Sequence, residues 1–264
     1  MRTVQLEYLR PGEIVAERER FSVVYLPIGP LEWHGPAMPY GTDPLMAQEV
    51  ARAAARITGG VVMPTLFIGT ERERPACILE GMGMENTDQY VVGMDVPANC
   101  MKSFYAREEI FALMVRENLR LLVQQGYKLI VVVNGHGALG QKDSLDRLAA
   151  EFSNETPSKV IVTMADVLEE GETGDLGHGT FLESCFMRGL YDEHVDMSQL
   201  PPREVPIKHA DYGIADECVF TGKRTPGDYI QHDPRDANPE KGLKYVATAI
   251  NNLVDFVNKA YAAL

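Results

Sequence analysis

The sequence predicts an α/β fold in which a mostly parallel sheet is covered by helices on both faces. Short apolar runs rich in β-branched residues alternate along the chain with longer segments whose apolar residues recur at helical spacing. Such alternation is typical of parallel strands joined by helices that pack on the sheet. The length of 264 residues suits one domain of this class, so we expect residues 1–264 to form a single domain.

The first predicted elements are a strand, a helix and a second strand. The run 23–28 is short, apolar and β-branched, as expected of a buried strand. A helix is expected from Asp43 to about Ile57, with Asp43 as the N-cap and the following proline at the first helical position. Two glycines end this helix, and the apolar run 61–68 is the next predicted strand.

The rest of the chain repeats this pattern. Helices are predicted near 106–125, between the strands 128–133 and 160–164, and from about Pro239 to the C-terminus. The apolar stripes that indicate the three helices are Phe111, Met114, Val115, Leu119 and Leu122 in the first, Leu145, Leu148, Ala149 and Phe152 in the second, and Leu243, Val246, Ile250, Leu253 and Val257 in the third.

Two stretches, about 70–102 and 198–238, lack such periodicity and are predicted to be long loops. Long irregular segments inside a compact domain often have a function. We expect the segment 70–105 to lie at the mouth of a functional site and to set substrate choice through polar groups. Its candidates are Glu80, Asn99 and Tyr105. The alternative is a solvated loop without ligand contacts.

Composition excludes several classes of function. The formal net charge of −13 argues against nucleic acid or an anionic membrane surface as a partner. No apolar run reaches the roughly 20 residues that a membrane-spanning helix needs, and the N-terminus lacks the apolar core of a signal peptide. These observations predict a cytoplasmic protein.

Four cysteines show no spacing typical of metal binding. Cys77, Cys100, Cys185 and Cys218 are far apart in sequence, without a C-x-x-C pair. They are interpreted as reduced thiols that mostly serve packing, and thiolate ligation of a metal is the less favoured interpretation.

An acid and an imidazole leave the end of the first strand together. Glu32 and His34 are two residues apart, so on an extended segment their side chains point the same way, and Asp43 follows nine residues after His34. His136 follows the later strand 128–133 in the same manner. Because ligands bind beyond the carboxyl ends of parallel strands, these residues predict a site for a divalent transition metal.

Two further residues are candidates for chemistry. His178, like His34 and His136, lies beside glycine, which permits tight turns and close approach of a ligand. Glu183 falls in the first turn of a helix if that helix begins near Thr180, and it is interpreted either as a metal ligand or as a charge that stabilises the helix start. The remaining histidines, His194, His209 and His232, lack this context and are interpreted as ordinary loop or core residues.

The segments that carry these residues resemble those of a known family. Residues 26–43, LPIGPLEWHGPAMPYGTD, are similar to the pattern LPxGSxEQHGPHLPxxTD of the creatininase (creatinine amidohydrolase) family. Residues 134–137 (NGHG) resemble its NGHGGN, residues 178–184 (HGTFLES) its HAGxxETS, and residues 233–242 (DPRDANPEKG) its DPxxASxEKG. The four segments occur in the family's order.

The resemblance implies a three-layer α/β/α fold, two divalent metal ions (Zn, or Mn or Fe) and a homo-oligomer, often a hexamer. In creatininase itself, one metal ligand is a glutamate at the position that Ala138 occupies here. Because alanine cannot bind a metal, the resemblance implies that Glu183 replaces that ligand. His178 matches the histidine that acts on protons. The other metal ligands that the resemblance implies are Glu32, His34, Asp43, as the bridge, and His136.

The function implied is that of a metal-dependent hydrolase of a small cyclic substrate. The bond is expected to be C–N, in a lactam, cyclic amide or formamide, attacked by a metal-bridging hydroxide. Trp33, Ala37 and Leu139 depart from the family pattern, which argues against creatinine itself as the substrate. One alternative is a C–C hydrolase that opens an oxidised cyclic polyol of the inosose type, as in inositol catabolism. The other is a metal-binding protein without catalysis.

Overall fold

The computed structural model describes residues 3–84, 88–166, 177–222 and 229–264. Its central sheet is entirely parallel, with the strand order β2–β1–β4–β5 and with β3 pairing with β1. A separate antiparallel pair joins two short strands, β6 and β7. The strands are β1 (Val23–Gly29), β2 (Val61–Val62), β3 (Leu66–Phe67), β4 (Leu129–Asn134), β5 (Lys159–Met164), β6 (Gly177–His178) and β7 (Ala215–Asp216).

Helices cover both faces of the sheet. They are α1 (Pro11–Arg20), α2 (Thr42–Thr58), α3 (Ala76–Gly81), α4 (Glu108–Gln124), α5 (Leu139–Glu155), α6 (Phe181–Tyr191), α7 (His209–Tyr212), α8 (Glu217–Phe220) and α9 (Pro239–Ala262). One apolar core joins a face of the sheet to α2, α6 and α9, and another joins the opposite face to α4 and α5. The predicted three-layer arrangement with a parallel sheet is therefore confirmed.

Alternation along the strands explains why two cores form. Val23 and Tyr25 of β1 point to the first core, whereas Val24 and Leu26 point to the second. All four side chains are completely buried. Because successive side chains of a strand face opposite sides, a strand covered on both faces must be apolar throughout, which is the pattern seen in the sequence.

The strand predicted over 61–68 is interrupted. Val62 pairs with Tyr25 and Leu66 pairs with Ile28, so three residues on this edge lie opposite two on β1. One of the three is Pro64, which has no N–H to donate to the ladder. The single predicted strand is therefore two short strands, β2 and β3, separated by a bulge.

The start of α2 also differs from the prediction. The helix begins at Thr42 with Gly41 as its N-cap, so Asp43 lies inside the first turn and is not the cap. The turn that precedes the helix is held by the Thr42 hydroxyl, which donates to the Pro39 carbonyl at 2.8 Å. The Asp43 carboxylate is thereby left to face other side chains.

Two predicted apolar stripes are partly wrong. Met114 of α4 and Leu243 of α9 are 46 % and 57 % exposed. On α9 the inward face instead includes Gly242, where an added Cβ would lie 1.8 Å from the Cys185 carbonyl oxygen of α6. The close approach of α9 to α6 sets the rotation of α9 and turns Leu243 outward.

In the residues that the structure describes, which leave out 85–87 and 223–228, the two predicted irregular stretches are mostly loops. The first contains α3, and the second contains α7, β7, α8 and short 3-10 turns. Helix α1, for which the sequence analysis gave no prediction, precedes β1. None of the helices in the described part of the chain combines the length and apolar character that a membrane span requires.

Candidate metal centre

The candidate centre lies beyond the carboxyl ends of β1 and β4, where the N-terminus of α2 closes on the sheet. Two glycines allow this approach. An added Cβ at Gly29 would lie 2.7 Å from the Pro44 nitrogen, and one at Gly135 would lie 2.0 Å from the Asp43 carbonyl oxygen. The first turn of α2 is thus pressed against both strand ends, which inserts Asp43 between the residues that follow β1 and the residue that follows β4.

Asp43 belongs to two groups of buried donors. One group is Glu32, Asp43 and His136, and the other is His34, Asp43 and Glu183. Within each group, one donor atom from every residue lies within 4.8 Å of the others. Asp43 Oδ2 is 2.9 Å from His136 Nδ1, and Asp43 Oδ1 is 3.0 Å from His34 Nε2. The two oxygens of one carboxylate therefore serve two neighbouring positions.

The donor atoms are placed to bind metal ions, and several of them form no hydrogen bond with one another. Despite these short distances, Glu32 Oε2, His34 Nε2 and Asp43 Oδ2 have no partner of hydrogen-bond geometry within the described part of the chain, and all three are buried. Unpaired polar atoms in an interior are costly. Several of them that converge on two points, with carboxylate and imidazole donors only, fit divalent ions such as Zn²⁺, Mn²⁺ or Fe²⁺.

Backbone contacts orient the two histidines. His34 Nδ1 lies 3.1 Å from the Glu32 carbonyl oxygen, which leaves Nε2 for the centre. The turn that carries His136 is held by Asn134, whose side chain donates to the His136 carbonyl and accepts from the His136 N–H, at 2.7 and 3.1 Å. Gln141 donates to the same Asn134 oxygen at 2.7 Å. The histidine ring is therefore set by the loop that follows β4.

Two residues of the segment 70–105 reach the centre. The Tyr105 hydroxyl donates to Glu32 Oε1. Glu71 Oε1 lies 4.0 Å from His136 Nε2, on the side of the ring away from Asp43, and the Glu71 side chain is only 3 % exposed. Glu71 could not be predicted from the sequence, because an acid in an irregular stretch has no distinguishing pattern. Of the named candidates, Tyr105 is at the site, whereas Glu80 is exposed and buried Asn99 donates to the Met94 carbonyl.

His178 lies directly beside this cluster. Its ring stacks on that of His34, with centroids 4.4 Å apart, and its Nε2 bonds to the Trp33 carbonyl. Its Nδ1 faces Glu32 Oε1 at 3.8 Å. Burial lowers the pKa of His178 to about 3, and the neighbouring imidazoles of His34 and His136 add to this effect. The ring is therefore neutral at pH 7.

The charges of the other groups are coupled. Burial opposes the charged form of His34, yet the carboxylates of Asp43 and Glu183 outweigh it and raise the pKa of His34 to about 10. The pKa of Glu183 is raised to about 8, chiefly by burial; nearby Asp43 acts in the same direction and His34 opposes it. Burial would also raise the pKa of Glu32, but the charge of His136 lowers it. Without ions, the cluster therefore holds protons in the place of cations.

Glu183 lies in the first turn of a helix, as expected both for a metal ligand and for a charge that stabilises the helix start. Thr180 is the N-cap of α6, which puts Glu183 in the first turn. One carboxylate oxygen accepts from the Gly179 N–H, and the other lies 3.9 Å from His34 Nε2. The side chain is thus anchored to the helix start and still faces the donor cluster.

The histidines without a glycine context lie elsewhere. His194 and His232 are exposed. His209 is completely buried and belongs to a separate group with Asp216 and Cys218. Cys218 packs against an apolar cluster, as its interpretation as a packing residue expects, and its sulfur also belongs to this group. None of the four cysteines, which all lie in described ranges, forms a disulfide, and Cys185 alone among them is fully buried.

The chain is similar to several known proteins over most of its length. The family model described as "Creatininase: Creatinine amidohydrolase" matches residues 7–257. The creatinine amidohydrolase of Pseudomonas putida is 23 % identical over 255 residues, which cover 90 % of each chain. Solved structures described as a manganese creatininase and as a creatininase variant complexed with creatine each share 22 % identity and a TM-score of 0.69, and cover 98 % of this chain and 99 % of theirs.

These similarities extend over nearly the whole chain. The match to the family model includes the six residues of the candidate site, which are Glu32, His34, Asp43, His136, His178 and Glu183. The chain therefore belongs to the creatininase family and is a metal-dependent hydrolase of the amidohydrolase type.

Proposed function

We propose that this enzyme hydrolyses the C–N bond of a small cyclic amide, lactam or formamide with two divalent metal ions. The observation that carries the proposal is the position of Asp43, whose two oxygens face different histidines in two separate donor groups. In this proposal Asp43 is shared between the ions. The residues that would hold the ions are Glu32, His34, Asp43, His136 and Glu183.

The two ions would supply Lewis acidity at the carbonyl and a lowered pKa of water. The protein residues have the remaining tasks. Glu32 and His136 would complete one position, and His34 and Glu183 the other, with the protons now held by His34 and Glu183 displaced. Tyr105 keeps the Glu32 carboxylate oriented from outside the centre.

His178 is proposed to move the proton that the leaving nitrogen requires. Its Nε2 is committed to the Trp33 carbonyl, so Nδ1 is the atom available for transfer. A neutral ring can accept a proton at Nδ1, and its lowered pKa favours release of that proton to the leaving nitrogen. The position of Nδ1 beside Glu32, next to the donor cluster, supports this role.

Burial of the site and the names of the relatives support the proposed substrate class. The six site residues are between 1 % and 8 % exposed, so only a small molecule suits the approach. The name of the Pseudomonas putida relative, creatinine amidohydrolase, describes an amide-type bond in a small ring. Both observations support a cyclic amide over a large or polymeric substrate.

The bond cleaved can be tested by the product that appears. Metal-loaded protein made without a His-tag would be incubated with lactams, cyclic amides and formamides, and in parallel with cyclic polyol ketones. Hydrolysis of a C–N bond adds one water and exposes a new amine, whereas C–C opening adds one water and exposes none. We expect a new amine. Ring opening of a polyol ketone alone would favour the inosose-type alternative, and turnover by metal-free protein would contradict the proposal.

Three further properties belong to this proposal. We propose that residues 1–264 form one domain, which the match over 7–257 supports. A homo-oligomer, with a hexamer as the expected form, is supported by exposed apolar side chains on α4, among them Leu113 and Met114. A cytoplasmic location is supported by the four cysteines without disulfides. Sedimentation at equilibrium would give the number of subunits.

A further inference from the structure

A second group of metal-binding side chains lies outside the centre described above. His209 is the first residue of α7, Asp216 is the last residue of β7, and Cys218 lies in α8. One donor atom from each lies within 4.8 Å of the other two. We propose that these three residues bind a third cation, Zn²⁺ or a similar divalent ion with affinity for thiolate. This proposal does not depend on the reaction proposed above.

His209 has the environment of a metal ligand. The side chain is completely buried, and its Nδ1 lies 3.1 Å from the Ile214 carbonyl oxygen. This contact directs Nε2 toward Asp216, whose Oδ2 is 3.9 Å away. Histidines that bind metals commonly donate their other ring N–H to a backbone carbonyl, which fixes the tautomer with a lone pair for the ion.

Asp216 has one buried carboxylate oxygen without a hydrogen-bond partner in the described part of the chain. Its Oδ2 accepts from the Gln231 backbone N–H at 2.7 Å. Its Oδ1 is buried and has no hydrogen-bond partner in the part of the chain that the structure describes, although the residue is only 4 % exposed. A buried carboxylate oxygen without a partner is costly. A cation beside Oδ1 would remove that cost, which is an observation independent of the histidine geometry.

Cys218 determines which ion would bind. Nitrogen, oxygen and sulfur donors together suit Zn²⁺, whereas the catalytic cluster offers only nitrogen and oxygen. Bonds of about 2.0–2.3 Å to a tetrahedral ion keep donor atoms about 3.3–3.8 Å apart. The three donors, all within 4.8 Å of one another, reach that spacing through small side-chain adjustments.

The ion would join three chain segments near the catalytic centre. The Ile230 N–H donates to the Ile207 carbonyl at 3.0 Å, and Gln231 holds Asp216, so segments 207–209, 215–218 and 230–231 already meet here. Ala215, next to Asp216, pairs with His178 in the β6–β7 ladder. We therefore infer a structural role, in which the ion fixes the short sheet that carries His178.

Cobalt provides a test that reports thiolate ligation alone. Metal-free protein would be titrated with Co²⁺ up to three equivalents, and absorption would be followed in the visible and near-ultraviolet ranges. Cobalt bound to thiolate has an intense near-ultraviolet charge-transfer band that nitrogen and oxygen ligands do not produce. We expect this band in the wild-type protein, its loss in Cys218→Ser and its retention in the matched control Cys77→Ser, whose thiol is exposed.

The outcomes separate the third site from the proposed function. If visible cobalt absorption from the catalytic centre develops while the thiolate band stays absent, the third site is refuted and the hydrolase proposal stands. A band that persists in Cys218→Ser, or that appears only with cobalt in large excess, also overturns the third site. If the band forms and Cys218→Ser removes it, the site holds even where the Asp43-centred ions fail to bind.

Discussion

The two carboxylate oxygens of Asp43 face His34 and His136 at 3.0 and 2.9 Å, so this single side chain takes part in both donor groups. Glu183 takes part in only one of these two. We therefore expect Asp43→Ala to lower metal content by up to two equivalents per chain, and Glu183→Ala by up to one. Metal analysis of dialysed protein without a His-tag measures the difference.

A milder substitution at Asp43 tests the same prediction with less risk that the variant misfolds. Asp43→Asn keeps the shape of the side chain but offers one carbonyl oxygen in place of two carboxylate oxygens. We expect it to lose more metal than Glu183→Gln. Equal metal content in the two would contradict the bridging role, and full metal content and activity in Glu183→Gln would leave Glu183 as a helix-start charge only.

His178 allows a second prediction at the scale of one residue. Because its Nε2 is bound to the Trp33 carbonyl and only Nδ1 faces the cluster, its removal should affect proton transfer more than metal binding. We expect His178→Ala to keep both metal ions while kcat falls by about 10²–10⁴-fold. The control is His194→Ala, since His194 is exposed. Loss of metal with activity would make His178 a ligand.

At the scale of elements, the segment 70–105 contacts the outer side of one donor group. Glu71 lies 4.0 Å from His136 Nε2, a buried ring nitrogen without a hydrogen-bond partner in the described chain. A shift of about 1 Å would give a hydrogen bond. We expect Glu71→Gln to weaken one of the two metal affinities by about 10–100-fold, as for other outer partners of metal-bound histidine.

The matched control for Glu71 lies in the same segment. Glu80 is exposed, so Glu80→Gln changes charge equally without touching the ring. Competition with a chelator would measure both affinities in each variant. The outer role of Glu71 is refuted if Glu71→Gln and Glu80→Gln bind both ions as tightly as the wild type.

The contact between α6 and α9 links stability to the site. An added Cβ at Gly242 would lie 1.8 Å from the Cys185 carbonyl oxygen, so Gly242→Ala must separate two helices, one of which carries Glu183. Overpacking of this kind costs about 1–3 kcal/mol. We expect a lower Tm in Gly242→Ala, measured by calorimetry. In the control Gly12→Ala, where nothing lies within 4 Å, Tm should stay the same or rise; an equal fall in both would contradict this account.

Prediction from sequence succeeded where a local pattern encodes the element. The β1 and β4 strands are readable because buried strands are continuously apolar, and the turns after them are readable as candidate ligand positions because Glu32, His34 and His136 stand there. The bulge at Pro64, the outward turn of Leu243 and the approach of Glu71 to His136 depend on partners distant in sequence. Such contacts leave no periodicity in the chain itself, so sequence patterns alone could not identify them.

For the whole molecule, the protons held in the donor cluster predict how stability depends on pH. Compared with their ordinary values, the pKa of Glu183 is raised to about 8 and that of His34 to about 10, so the folded metal-free protein holds protons that the unfolded chain releases. The free energy of unfolding of the metal-free protein therefore decreases as pH rises from the ordinary pKa of each group to its raised pKa, about 8 for Glu183 and about 10 for His34. His178, with its pKa lowered to about 3, adds stability as pH rises to about 6.5 and changes nothing beyond that.

Between pH 7 and 9, only the first of these effects operates in the metal-free cluster. Bound divalent ions replace the protons on Glu183 and His34, and metal affinity itself increases as these ligands lose their protons. We therefore expect the difference in Tm between metal-loaded and metal-free protein to widen from pH 7 to pH 9, as measured by calorimetry in matched buffers. Groups away from the metal sites titrate equally in both forms and cancel in the difference. In Glu183→Gln, one titrating group is absent, so the difference in Tm should widen less between pH 7 and pH 9. If the difference in Tm of the wild type stays constant or narrows, cations do not take the place of protons in this cluster.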